Sequence, residues 1–223
     1  MKSIVYQGKL YRSLKEEIES EKKSYNSRVF DIESIHKCPR QQIIKYGIGS
    51  KVENTNKSIH DNFIKSKWAE IFKRCTKIRL VNSSAVLSDA NCNISLNSSA
   101  IIEFKDDIYI TYIKPVDSDT YNKIKSNGPM KKDVITCQAH IWLSELQNGM
   151  IIYEDLSSQE YEIFFINKDV GIINFIENRL RYLNSYQISG KIPPVPKENE
   201  NRETSKECIN CEFRDKCYKL DNK

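Results

Sequence analysis

Ile101-Ile102-Glu103-Phe104-Lys105-Asp106-Asp107-Ile108-Tyr109-Ile110-Thr111-Tyr112-Ile113-Lys114 is a pair of apolar runs separated by a charged break. Aromatic and β-branched residues favour extended backbone, and a short polar interruption between two such runs reads as a hairpin. Taking Asp106-Asp107 as its two-residue turn sets Ile101 across from Tyr112 and Ser99 across from Lys114. Side chains alternate with period two, so these four residues share one face of the sheet. Glu103 is on that face too, but it stands four residues from Ser99, about 13 Å along the strand at roughly 3.3 Å per residue.

Outward from the hairpin, further strands are predicted over 77–81, 84–87, 94–104 and 108–116, and again over 149–154 and 161–165. Helical spacing of apolar residues predicts helices over 10–24, 58–75, 131–147 and 168–189. Another helix is expected from a Ser34 cap to Tyr46, with Cys38 inside it and Gly47 and Gly49 ending it. The apolar stripe of helix 58–75 is Ile59, Phe63, Ile64, Trp68, Ile71 and Phe72, and His60 lies on its first turn. Gly190-Lys191-Ile192-Pro193-Pro194 breaks the last helix. These elements describe an α/β core sheet flanked by helices. The organisation is one domain over 1–223: a helical part over 1–76 with Cys38 and His60, a core over 77–189, and a linker with a Cys-rich tail over 190–223.

The ends of the chain carry their own pattern. Cys38 stands alone in Ser34-Ile35-His36-Lys37-Cys38-Pro39-Arg40, whereas Cys208, Cys211 and Cys217 form C-x2-C-x5-C. Zinc sites usually draw on two local ligand pairs. A lone cysteine meeting a distant trio suits a cubane 4Fe-4S cluster better, because four thiolates need no local pairing. Zinc, or no metal, is the alternative. The seven cysteines, an odd number, argue against a complete set of internal disulfides. Cys75, Cys92 and Cys137 read as small buried hydrophobes.

Chain length allows one sizeable core, and no apolar run is long enough to span a bilayer. With no signal-like N-terminus either, the expected location is cytoplasmic and no membrane partner is expected. The net charge of +5 is a mild pointer to polyanions. Abundant Lys, Asn, Ile and Ser fit an AT-rich genome, that of a low-GC bacterium or its phage.

The segments taken together resemble the iron–sulfur exonucleases of the RecB-like PD-(D/E)XK superfamily, which includes the CRISPR-adaptation exonuclease and phage exonucleases. The stretch 34–40 resembles that family's first cluster-ligand motif, and Ser58-Ile59-His60-Asp61 its helical histidine motif. Gly128-Pro129 leading to Gln138-Ala139-His140-Ile141-Trp142-Leu143 looks like the motif whose Gln and following aromatic face the substrate. The resemblance implies a PD-(D/E)XK nuclease-like core sheet whose C-terminal Cys segment closes on Cys38. It also implies nucleic-acid contact, DNA rather than RNA, through Gln138, Trp142 and Lys114.

In that family an Asp on one strand and a Glu-x-Lys on the next hold a divalent metal that activates water. Here the Asp position falls at Ser99 and the Glu position at Tyr112, and Lys114 alone survives. Neutral hydroxyls do not hold Mg or Mn as carboxylates do, so no divalent ion is expected. His60, Ser99, Tyr112 and Lys114 are then remnant positions with no confident catalytic residue among them. The expected protein is a catalytically inactive, cluster-bearing nuclease fold that binds nucleic acid or serves in a larger nucleic-acid-processing complex. One alternative is an active metal-dependent DNA exonuclease with acidic ligands moved to Asp89 or Glu103. Another is a protein-binding platform. Plainer readings stand beside the specific ones: a snorkelling Lys114, a core pair Gln138 and Trp142, a surface His60, and Asp89, Asp106, Asp107, Asp117 and Asp119 in turns.

Overall fold

The predicted hairpin forms, with its turn displaced by one residue. Strands β4 (Ala100–Phe104) and β5 (Asp107–Val116) are antiparallel, with Phe104 paired to Asp107 and Ile101 to Ile110. The computed structural model describes residues 30, 32–46, 57–83, 86–89, 91–97 and 100–221. The turn is Lys105-Asp106, both left-handed with φ of 53° and 68°. Two positive-φ residues give the twist that joins antiparallel strands without splaying them, and Asp tolerates that conformation. Ile101 therefore faces Ile110 and not Tyr112, a register change of two residues. An even shift returns every side chain to the same face, so Ile101, Tyr112 and Lys114 still share one. Ser99, the helix expected over 10–24 and the stop at Gly47 and Gly49 lie outside the described residues.

The main sheet has the order β1-β4-β5-β6-β7, where β1 is Ile78–Asn82, β6 is Asn148–Asp155 and β7 is Tyr161–Asn167. β5 and β6 run parallel, with Tyr112 beside Ile151 and Lys114 beside Tyr153. The long strand expected over 94–104 is two. Its first part, β3 (Ile94–Asn97), pairs with β2 (Val86–Asp89) in a separate two-stranded sheet.

Helix α1 (Pro39–Tyr46) begins after Cys38, contrary to the expected start at Ser34. Pro39 has no N–H to give and a fixed φ, which suits the first helical position. Before it, Ile32–Ser34 is a 3₁₀ turn, and the Ser34 hydroxyl donates to Gln42 Oε1 at 3.2 Å. Helix α2 (Lys57–Arg74) packs Ile64, Trp68 and Phe72 on Ala100, Ile102, Ile113 and Ile152. Ile71, expected in its stripe, is 40% exposed.

Between β5 and β6 lie α3 (Ser118–Asn127), absent from the sequence expectations, and α4 (Lys131–Ser144). Asp117, read as a turn residue, caps α3 by accepting from Thr120 N at 2.8 Å. Ile124 of α3 with Cys137 and Ile141 of α4 cover the opposite sheet face at Ile110, Ile151 and Tyr153. Helix α5 (Val170–Ser189) packs Ile176, Leu180 and Leu183 on Phe30, Ile35, Ile43 and α4. It ends at Gly190 with φ 65°, the left-handed cap that glycine adopts without strain. The tail then holds a 3₁₀ turn at Lys197–Asn199 and two short helices, α6 (Lys206–Ile209) and α7 (Arg214–Asp221), and returns to α1. No helix among the described residues is long and apolar enough to cross a membrane.

Candidate functional site

Two places carry chemistry, one on the sheet face and one where the tail meets α1. On the sheet face, alternation along β5 turns Tyr112 and Lys114 toward α4 and the 3₁₀ turn before α1. Lys114 Nζ donates to Asp133 Oδ1 at 2.5 Å and lies 3.9 Å from Glu33 Oε2. Asp133, in the first turn of α4, is fully buried, and its other oxygen accepts from the Tyr153 hydroxyl at 2.7 Å. Tyr153 in turn accepts from Met130 N at 3.2 Å. The Tyr112 hydroxyl donates to Glu33 Oε1 at 2.9 Å, and its ring centroid is 5.6 Å from that of His140.

Burial holds the Tyr112 phenol well above its usual pKa, and the negative charges of Glu33 and Asp133 add to this. Burial and the Asp133 bond act on Tyr153 in the same direction. Both hydroxyls therefore stay neutral donors at neutral pH. Lys114 is neutralised by an internal carboxylate whose oxygens are both engaged, an arrangement that leaves Asp133 no lone pair facing water.

Other predicted residues fall in different surroundings. Glu103 pairs with Arg79 across the β1–β4 ladder. Asp89 Oδ1 accepts from Cys92 N at 2.8 Å, a turn role. Gln138 is 1% exposed; its amide donates to Asn167 O at 2.7 Å and accepts from Asp169 N at 2.9 Å. Its side-chain amide thus bridges β7 to α5. Trp142 packs partly buried on the α4–α5 core. His60 lies on α2, and its side chain is outside the described set. Sequence reasoning missed Glu33 and Asp133. Asp133 looks like an ordinary acid at a helix start, favourable to the helix dipole, and nothing in the linear pattern joins it to Lys114.

At the second place, Cys38, Cys208, Cys211 and Cys217 line one hollow between α1 and the tail, together with Arg40, Arg202, Glu207 and Arg214. Pro39 fixes the chain just after Cys38, and Cys38 N donates to Glu207 Oε1 at 2.8 Å. Burial pushes the Cys38 and Cys211 thiols up, so without a positive partner they are neutral. Among the described residues no three thiol, imidazole or carboxylate groups lie close enough to hold a single ion. Between the two places sits His36, whose pKa is lowered by burial and then by Lys37, Lys132 and Lys131. Of the other cysteines, Cys92 and Cys137 are buried as expected, whereas Cys75 is exposed.

No protein-family model and no curated protein sequence matches the chain. Solved structures share its fold. The crystal structure of SSO0001 is similar with a TM-score of 0.52 at 15% identity, covering 94% of this chain and 98% of that one. An alkaline exonuclease, LHK-Exo from Laribacter hongkongensis, gives 0.57 at 11% identity, over 75% of this chain and 91% of its own. LHK-Exo in complex with dAMP gives 0.52 at 14% identity, over 68% and 78%. The chain thus has an exonuclease-like α/β fold, a five-stranded sheet flanked by helices, with its C-terminal cysteines brought back to Cys38.

Proposed function

We propose that this protein is a catalytically inactive nuclease fold, held at its tail by a 4Fe-4S cluster, that binds nucleic acid or serves as a subunit of a nucleic-acid-processing complex. The observation that carries the inactivity is the closure of Asp133. A hydrolytic Mg or Mn site needs carboxylate oxygens free to replace water on the ion. Asp133 has both oxygens bonded inside the protein, to Lys114 and Tyr153, and Tyr112 offers a neutral hydroxyl.

The cluster reading is supported by four cysteines from both ends of the chain lining one hollow. Cys38, Cys208, Cys211 and Cys217 would be its ligands. Four thiolates make the assembly anionic, and Arg40, Arg202 and Arg214 around the hollow are complementary to it. Its contribution is structural: metal-binding energy would tie α1 to a tail more than 150 residues away, the Arg40–Cys217 separation being 177. For nucleic acid, the support is the exonuclease-like fold together with the cations Lys37, Lys131 and Lys132 gathered around His36. DNA is the expected polymer.

One observation favours a second reading, an active metal-dependent exonuclease. Two carboxylates, Glu33 and Asp133, do approach Lys114, though from helical elements in place of the strands. Anaerobically purified protein incubated with labelled single- and double-stranded DNA, with Mg2+ or Mn2+, separates the readings. Binding without cleavage is expected. Cleavage abolished by Lys114→Ala would overturn the inactive reading, and absence of DNA or RNA binding at low salt would favour a protein-binding platform.

A further inference from the structure

Arg40 is a guanidinium only 5% exposed, in the first turn of α1 and two residues after Cys38. Its Nε donates to Cys217 Sγ at 3.2 Å. Its two terminal nitrogens donate to Pro193 O at 3.0 Å and to Cys217 O at 3.4 Å. One planar fork thus grips the sulfur and the backbone of a single cysteine, and the start of the tail as well. The other cations lining the hollow are held differently, with Arg202 and Arg214 lying 5.0 and 5.8 Å from the Tyr218 ring centroid.

An iron-bound thiolate at Cys217 would be anionic, and a guanidinium N–H aimed at its sulfur is then a charge-assisted donor. We infer that Arg40 is a positioning residue for the iron–sulfur cluster, its Nε–H bond to the Cys217 sulfur raising the cluster's reduction potential while the rest of the fork fixes that ligand in place. The inference rests on the cluster reading proposed above and adds to it a named residue and a property. Adding an electron to the cluster increases negative charge on its sulfurs. A charge-assisted donor aimed at one of those sulfurs stabilises the reduced form more than the oxidised one. Lysine keeps the charge but not the fork, so the two side chains are not equivalent here.

The experiment compares anaerobically purified wild type, Arg40→Met and Arg40→Lys by iron content and by dithionite titration followed optically and by electron paramagnetic resonance. Arg40→Met should lower the potential, and Arg40→Lys should lower it less. A second measurement needs no folded variant: reduced wild-type protein labelled with 15N-arginine should show nitrogen coupling to the cluster in pulsed resonance. Iron-loaded variants with the wild-type potential would overturn the inference. So would an iron-loaded wild type without arginine coupling, and that result would leave the cluster itself standing. A wild type free of iron would refute the cluster and the role of Arg40 together.

Discussion

Lys114 and Asp133 stand 19 residues apart in the chain and 2.5 Å apart in the fold, ammonium against carboxylate, with the carboxylate wholly inside the protein. Tyr153 closes the other side of that carboxylate, so the three side chains form one buried unit across β5, β6 and α4.

Asp133→Ala should be among the most destabilising single changes on this face. It takes from the Lys114 ammonium, whose side chain is 15% exposed, its nearer carboxylate, leaving Glu33 at 3.9 Å, and it strips the buried Tyr153 hydroxyl of its acceptor. Removing one partner of such a pair costs about 3–5 kcal/mol. Anaerobic urea unfolding measures it, and a loss under about 1 kcal/mol would show that the pair is not part of the closed core.

Alkaline pH should erode stability through buried acids that are neutral in the fold. Burial pushes Cys137 up to about 12 from 9.0, and Cys92 up to about 11. A group whose pKa is raised on folding contributes its full stability below its unfolded pKa and loses it as pH climbs toward the folded value. The urea midpoint should therefore fall as pH rises above about 9, and Cys137→Ala should flatten that fall. An equal slope in the variant would remove Cys137 as a cause.

Thiol labelling should divide the seven cysteines into three groups. In anaerobic native protein an alkylating reagent should reach Cys75 first, because it is exposed, and leave Cys92 and Cys137 untouched. Cys38, Cys208, Cys211 and Cys217 should react only once the cluster is removed by oxidation and chelation. Roughly four irons per chain and a brown colour belong to the same prediction. Stoichiometric zinc without iron, or immediate labelling of all four, would count against the cluster.

Gly149→Ala should strain the packing of α4 on β6. A Cβ there would meet Cys137 Sγ at 2.6 Å and Ile141 Cδ1 at 2.9 Å. Overpacking of this kind costs about 1–3 kcal/mol, read by thermal or urea unfolding. The second change Cys137→Ala should recover part of the loss, because it withdraws the atom that Cβ meets first.

Restoring carboxylates tests the remnant site. Ser99→Asp with Tyr112→Glu should create Mn2+ binding beside Lys114, detectable by calorimetry, while either change alone should do little. Tyr112→Glu places a carboxylate where Glu33 now accepts a hydrogen bond, so folding is verified first. A folded double variant that binds no Mn2+ would undo the placement, and a wild type that binds Mn2+ here would undo the inactivity.

Strands β1, β5, β6 and β7, the helices over α2, α4 and α5, and the face shared by Tyr112 and Lys114 were legible because each follows from short-range periodicity, whereas the division of 94–104 between two sheets was not. Helix α3 was not, since its apolar residues are sparse and its start signal, Asp117, is equally a turn signal. The register was misread by two residues because Lys105-Asp106 and Asp106-Asp107 are similar candidates for a turn, and the choice between them depends on backbone φ. The bonds of Gln138 to the β7–α5 junction were not legible either, because they join residues 29 and 31 positions apart in the chain.

Sequence by itself determined the α/β class, the alternation that selects a sheet face, and the cysteine spacing at the two ends, since these depend on neighbours within a few residues. Only the tertiary structure decided what surrounds Lys114. Asp133 and Glu33 arrive from helical elements whose relation to β5 is set by core packing, and the same packing carries Cys208, Cys211 and Cys217 back to Cys38. Long-range placement of this kind is governed by burial of whole faces, which a local pattern does not encode.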